Sequence, residues 1–180
     1  MKNTNRAMRT IRNQSGFTII EVLVVLIVGL GILAMSTGKI DMLFGSSGLA
    51  EEVSNINTLL PNIKSLKSSS GYGAAGTDLT TQLSAIGGIP KNITVVSNVM
   101  YNSWNGAITP ASTGIGFTIT DNALPQDVCI KMATKSSKSG AFSSIQINGN
   151  AAIVGEITSA IATTQCNSAS ANVIIFASQS

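Results

Sequence analysis

The chain has 180 residues, enough for one globular domain of ordinary size plus an apolar segment, and too few for two domains with separate large cores. Charged residues make up 11% and histidine is absent, which removes the commonest catalytic and metal-binding side chain and suits a weakly charged extracytoplasmic surface. The net charge of +3 does not mark a nucleic-acid surface: Lys2, Arg6, Arg9 and Arg12 all precede the first acid, Glu21, and residues 17–180 hold seven Lys against eight Asp plus Glu, a side-chain charge of −1.

Residues 17–35 (FTIIEVLVVLIVGLGILAM) carry one charge. As a helix rising about 1.5 Å per residue they reach roughly 28 Å, the thickness of a bilayer's hydrocarbon. The basic residues ahead of them place 1–16 in the cytoplasm and everything after residue 40 outside. A secretory signal peptide cut at the small-x-small site Ala34-Met35-Ser36 explains most of this. It does not explain Glu21, because a carboxylate in the middle of a membrane helix costs about 2–3 kcal/mol.

Gly16, Phe17, Thr18, Ile19, Ile20 and Glu21, followed by an unbroken apolar stretch, resemble the class III signal of type IV prepilins. The resemblance implies that a prepilin peptidase cleaves between Gly16 and Phe17 on the cytoplasmic side and N-methylates Phe17. The apolar segment then stays on the product. It gives Glu21 a role in assembly: pairing with the Phe17 amine of a neighbouring subunit offsets the desolvation of both charges. Such a pair also fixes axial register, since a misplaced subunit leaves a buried acid unpaired. The plainer alternative is that Glu21 snorkels to the lipid headgroups.

Beyond Met35 the pattern turns amphipathic. Ile40, Leu43, Phe44, Leu49, Val53, Ile56, Leu59, Leu60, Ile63 and Leu66 recur at three and four, which predicts one long helix over 17–70. Its segment 17–35 is the transmembrane or filament-core part and 36–70 the part that packs on a globular head, 71–180. Pro61 and the Gly45–Gly48 stretch are its expected weak points. Gly29, Gly31 and Gly38 fit either close helix packing or local melting.

In the head, 77–87 predicts a short helix with Leu79, Leu83 and Ile86 on one face. Strands are predicted over 93–101, 116–120, 142–147, 151–154 and 173–177, with Asn148-Gly149 as a hairpin turn and a mostly antiparallel sheet. Residues 125–135 predict a helix opened by Pro125, with Val128, Cys129 and Met132 along one side, and 156–164 predict another. Asp121 and Asp127 fit turn and helix-start roles better than a calcium loop. Lys131, Lys135 and Lys138 form either a basic face or a solvated helix end. No metal, cofactor or nucleic acid is expected.

Cys129 and Cys166 lie outside the membrane on this topology, and two cysteines allow one intrachain pairing. A disulfide between them is favoured over two free thiols. It delimits region 129–166 and closes a loop of about 38 residues, for which chain entropy gives roughly 4 kcal/mol.

One C-terminal disulfide is also typical of pilins. Residues 100–132, with a GFTIT strand and a Pro-started helix holding the first Cys, are similar to type IVb pilins of enteric bacteria and conjugative plasmids. The sixteen-residue leader and wide Cys spacing agree, while Phe17 is the residue usual in type IVa. The resemblance implies an α+β pilin fold, a long N-terminal helix packed on a mostly antiparallel sheet with a C-terminal disulfide-closed region. It implies a non-enzymatic subunit, with an inner-membrane assembly machinery and a host or recipient-cell receptor as partners, that polymerises with itself into an extracellular pilus for adhesion, aggregation or conjugative mating. A minor pilin or type II secretion pseudopilin is the alternative. A secreted enzyme on an N-terminal anchor is the rival from another class, and no Ser, Lys or carboxylate site for it is visible.

Overall fold

The structure is a computed structural model describing residues 19–179, with side chains described outside 27–47. Leu43–Ser180 forms one compact unit and Met1–Met42 another. Helix α1, Ile19–Lys64, begins in the second of these and ends in the first.

From residue 48 onward the amphipathic stripe behaves as its spacing dictates. Leu49, Ile56, Leu59, Leu60 and Ile63 are buried, and Val53 packs against the same core. Neither the Gly45–Gly48 stretch nor Pro61 breaks the helix. Pro61 stands one turn from the end, where its missing N–H removes a single intrahelical bond. The helix stops at Lys64, short of residue 70. Residues 65–71 leave it through a tight turn in which Ser68 and Gly71 exchange backbone hydrogen bonds.

Helix α2, Thr80–Ala85, is shorter than its sequence pattern. Leu79 and Leu83 are buried, whereas Ile86 is exposed because it follows the last helical residue. Six strands follow: β1 Thr94–Val96, β2 Val99–Tyr101, β3 Ala107–Ser112, β4 Phe117–Leu124, β5 Ser144–Ile147 and β6 Asn172–Ser178. They form one antiparallel sheet in the order β1-β2-β3-β4-β6-β5. Helix α3, Gln126–Lys138, lies between β4 and β5 in sequence, and α4, Ser159–Gln165, between β5 and β6.

Two strand expectations are corrected, and one strand appears that was not expected. The run 93–101 is not one strand but a hairpin, folded at Ser97 and Asn98, whose φ of 49° and 64° suit a tight two-residue turn. Residues 151–154 contribute only a bridge, in which Ile153 and Ile145 exchange hydrogen bonds. Strand β3 has no counterpart among the predicted elements because Pro110 stands inside it. Proline is tolerated there because β2 pairs β3 only at Ala107 and Ile108. Past that point β3 is an edge, covered by residues 76–79: Leu79 donates its N–H to the Pro110 carbonyl, and Ser112 donates to Thr77.

Strands β3, β4, β5 and β6 alternate between buried and half-buried positions, the mark of a sheet with one face on the core. Ile108, Phe117, Ile119, Ile145, Ile147, Ile174 and Phe176 supply that face and join the α1 stripe in one core.

Candidate functional site: the apolar helix start and the disulfide-closed region

Apart from Glu21, the described start of α1 is apolar. Ile19, Ile20 and Val22–Leu26 are all exposed, from 48 to 84%. A stretch of this size left to water in a lone chain calls for a cover, either lipid or apolar surface from other subunits. Glu21 lies in the first turn of α1, where a negative charge is favoured by the helix dipole. Gly16 and Phe17 lie outside the described residues, as does most of the expected span 17–35 where side chains are concerned. Among the described residues no helix is long and apolar enough to cross a membrane.

Cys129 and Cys166 are joined, with their Cα atoms 5.9 Å apart and both residues fully buried. Local sequence places each one. Pro125 precedes α3 with its φ fixed at −57°, and its carbonyl accepts from the Cys129 N–H in the first turn. Val128, Cys129, Met132 and Ala133 form the buried side of α3, as their spacing requires. Thr158 caps α4 by accepting from the Ile161 N–H, and Cys166 is the residue that closes that helix.

Asparagines hold this region to the sheet. The Asn148 amide donates to the Gln165 carbonyl at 2.8 Å and its oxygen accepts from the Val173 N–H at 2.8 Å. Asn172, fully buried, donates to the carbonyls of Leu124 and Ser168 and accepts from the Ser168 N–H. Asn148 and Gly149 both take positive φ, 48° and 73°, as the predicted turn requires. The outer surface carries exposed Val154 and Ile161. Lys131 pairs with Asp127 at 3.1 Å and Lys138 with Glu156 at 3.3 Å. Two of the three lysines are thus matched by acids, which favours a solvated helix surface over a basic face. Asp127 occupies the first turn of α3 as expected.

Asp121 does not have the turn role expected of it. It is an inward-facing residue of β4, fully buried, and accepts from the Asn102 amide at 2.7 Å. Glu52 of α1 is also fully buried and near enough for its charge to act on Asp121. Both were legible by period: Glu52 falls on the α1 stripe three residues after Leu49 and four before Ile56, and Asp121 continues the inward series Phe117, Ile119. Among the described residues no group of three or more His, Cys, Asp or Glu is placed to hold a metal.

Comparison with known proteins bears on both ends of the chain. The family described as PilS N terminal matches residues 46–179, and the prokaryotic N-terminal methylation motif matches residues 11–36. Among solved structures, the crystal structure of a type IVb pilin from Salmonella typhi is 30% identical with a TM-score of 0.63, covering 73% of this chain and 99% of that one. TcpA, a type IV pilin from Vibrio cholerae El Tor, is 13% identical with a TM-score of 0.53, covering 73% and 98%, a likeness of fold alone. No curated protein sequence matches. The disulfide-stapled antiparallel sheet, the long apolar-headed helix and the methylation motif thus lead to one conclusion: the chain belongs to the PilS-like type IVb pilins, the structural subunits of pili.

Proposed function

We propose that the chain is made as a membrane-anchored precursor with leader 1–16 and polymerises, after processing, as the main repeating subunit of an extracellular type IVb fibre. The observation that carries this is the methylation motif over 11–36, which spans Gly16, Phe17 and Glu21 on a chain whose remainder is pilin-like. In this reading prepilin peptidase cuts between Gly16 and Phe17 and methylates the new amine. Residues 17–35 hold the precursor in the inner membrane and later form the filament core, 36–70 pack on the head, and 71–180 are the head. The exposed start of α1, from Ile19 to Leu26, is the surface that lipid covers before assembly and neighbouring subunits cover after it.

N-terminal sequencing and mass measurement of the mature protein test the processing. The expected product begins at Phe17 and carries one added methyl group; a start near Thr37 assigns the N-terminus to ordinary signal peptidase. Glu21 supports a main-fibre over a tip position, because the carboxylate gives each incoming subunit a partner for the Phe17 amine. Glu21→Ala is expected to be processed and inserted normally yet to lose most of its filament yield by electron microscopy. Wild-type yield from that variant would remove the register role. Adhesion, aggregation and conjugative mating all fit such a fibre, with the disulfide-closed region 129–166 as the surface offered to a host or recipient cell.

A further inference from the structure

Two carboxyl groups lie at the junction of α1 with the sheet, and nothing in the fibre role uses them. Glu52 of α1 and Asp121 of β4 are both 0% exposed. Three of their four oxygens, both of Glu52 and Oδ2 of Asp121, meet no hydrogen-bond donor. The fourth, Asp121 Oδ1, accepts from the Asn102 amide. Asn102 cannot turn that amide away, because its own oxygen accepts from the N–H groups of Trp104 and Gly106 at 2.9 and 2.7 Å.

Among the described residues no cation acts on either carboxyl. From α1 come Glu51, a further acid, and Asn55; both accept from the Asn92 amide. From the 102–106 turn come Asn102, the Ser103 backbone and Trp104, the last packed 3.2 Å from where a Gly48 side chain would begin. The ion pairs formed among the described residues are Lys131–Asp127 and Lys138–Glu156, and neither includes this pair. Two ionised carboxylates cannot share such a site.

We propose that Glu52 and Asp121 form a proton-holding clamp between α1 and the sheet, closed when protonated and weakened as the pH rises. A proton on Glu52 removes the charge that its two orphaned oxygens would otherwise carry without a donor, and its release leaves two buried carboxylates whose like charges act on each other. A metal ion is the poorer occupant, since three free oxygens fall short of the six to eight that a calcium ion takes.

Burial is the main cause that raises the Glu52 carboxyl from 4.5 to about 7, with the Glu51 charge adding to it. The Ser103 backbone and the Asn55 side chain act the other way without reaching hydrogen-bond geometry on either oxygen. Asp121 is raised by burial and then by the Glu52 charge, with the Asn102 hydrogen bond opposing. The folded state therefore holds a proton that the unfolded chain releases. Its stabilising effect is complete below pH 4.5 and is lost as the pH climbs to about 7. The absence of histidine makes this readable, because no other side chain ordinarily titrates in that window.

The test is the melting temperature of the full chain in detergent micelles at about pH 5 and about pH 8. The wild-type protein is expected to melt roughly 5–10 °C lower at the higher pH. Glu52→Gln, which provides a donor at every pH, is expected to flatten the profile, and exposed Glu156→Gln to keep the wild-type slope. A wild-type profile that is flat or rises with pH overturns the clamp, as does a wild-type slope in Glu52→Gln. Millimolar calcium that restores the high-pH melting temperature as fully as acid does would assign the oxygens to a cation instead. Should Glu52→Gln fail to fold, infrared spectroscopy of the wild type decides: a protonated carboxyl band persisting at about pH 6 supports the clamp, and its absence there refutes it.

Discussion

Replacing Cys129 and Cys166 together by alanine is expected to lower the stability of the globular unit by about 4 kcal/mol in equilibrium unfolding by denaturant, each variant measured as the full chain. The bond spans 37 positions, a separation at which the unfolded chain loses much of its freedom when the ends are tied. The effect falls on a region with little sheet of its own. Between the two cysteines only β5 pairs in the sheet, and it does so along one side, to β6. Alanine is the apt replacement because both sulfurs are fully buried and serine would bury two hydroxyls. The denatured, unreduced wild-type protein should show no reactive thiol. A double variant within about 1 kcal/mol of wild type would mean that α3 and α4 are fixed by packing and by Asn148 and Asn172 alone.

Gly106→Ala is expected to be as damaging as a large core truncation, at about 3 kcal/mol or more. A Cβ at this position overlaps the backbone carbonyl of Asn122 and presses on the Asn102 amide, and a β4 carbonyl cannot swing aside as a side chain can. The shift would also pull Asn102 from its hydrogen bonds to Asp121 and to the Gly106 N–H. Gly149→Ala is the control: φ is 73° but the space around it is open, so the cost is only that of the left-handed backbone, about 1–2 kcal/mol. Thermal melting of the two variants separates close approach from backbone strain. A smaller loss at Gly106 than at Gly149 contradicts the overlap.

What could be read from the residues was what period and punctuation encode. The α1 stripe, the Pro-opened α3, the Asn148-Gly149 turn and the Cys129–Cys166 pairing all follow from local rules acting in the direction of the fold. The misses arose where tertiary context outweighs those rules. Ser97-Asn98 is a weaker turn signal than Asn-Gly, so two three-residue strands looked like one run. Pro110 argues against a strand unless the neighbouring strand is known to end two residues earlier. Glu52 and Asp121 lie in period on α1 and β4, but a charge at an inward position reads as a break in the stripe or as a turn, and burial is what shows that it belongs there. Glu21 stands out because its apolar run is longer and less interrupted.

The sheet order carries a consequence for the timing of folding. Strand β6 lies between β4 and β5, and β5 has no other strand partner in the sheet. All the other strands precede β6 in sequence, so as the chain is made from its N-terminus the sheet stops at β4 with an open edge. Strand β6 must first pair β4, as at Phe117 with Ser178, which closes a long stretch of chain at once, and only then can β5 join on its other side. Until then the open edge is a template for wrong pairings, so the slow and vulnerable step in maturation is the insertion of one central strand.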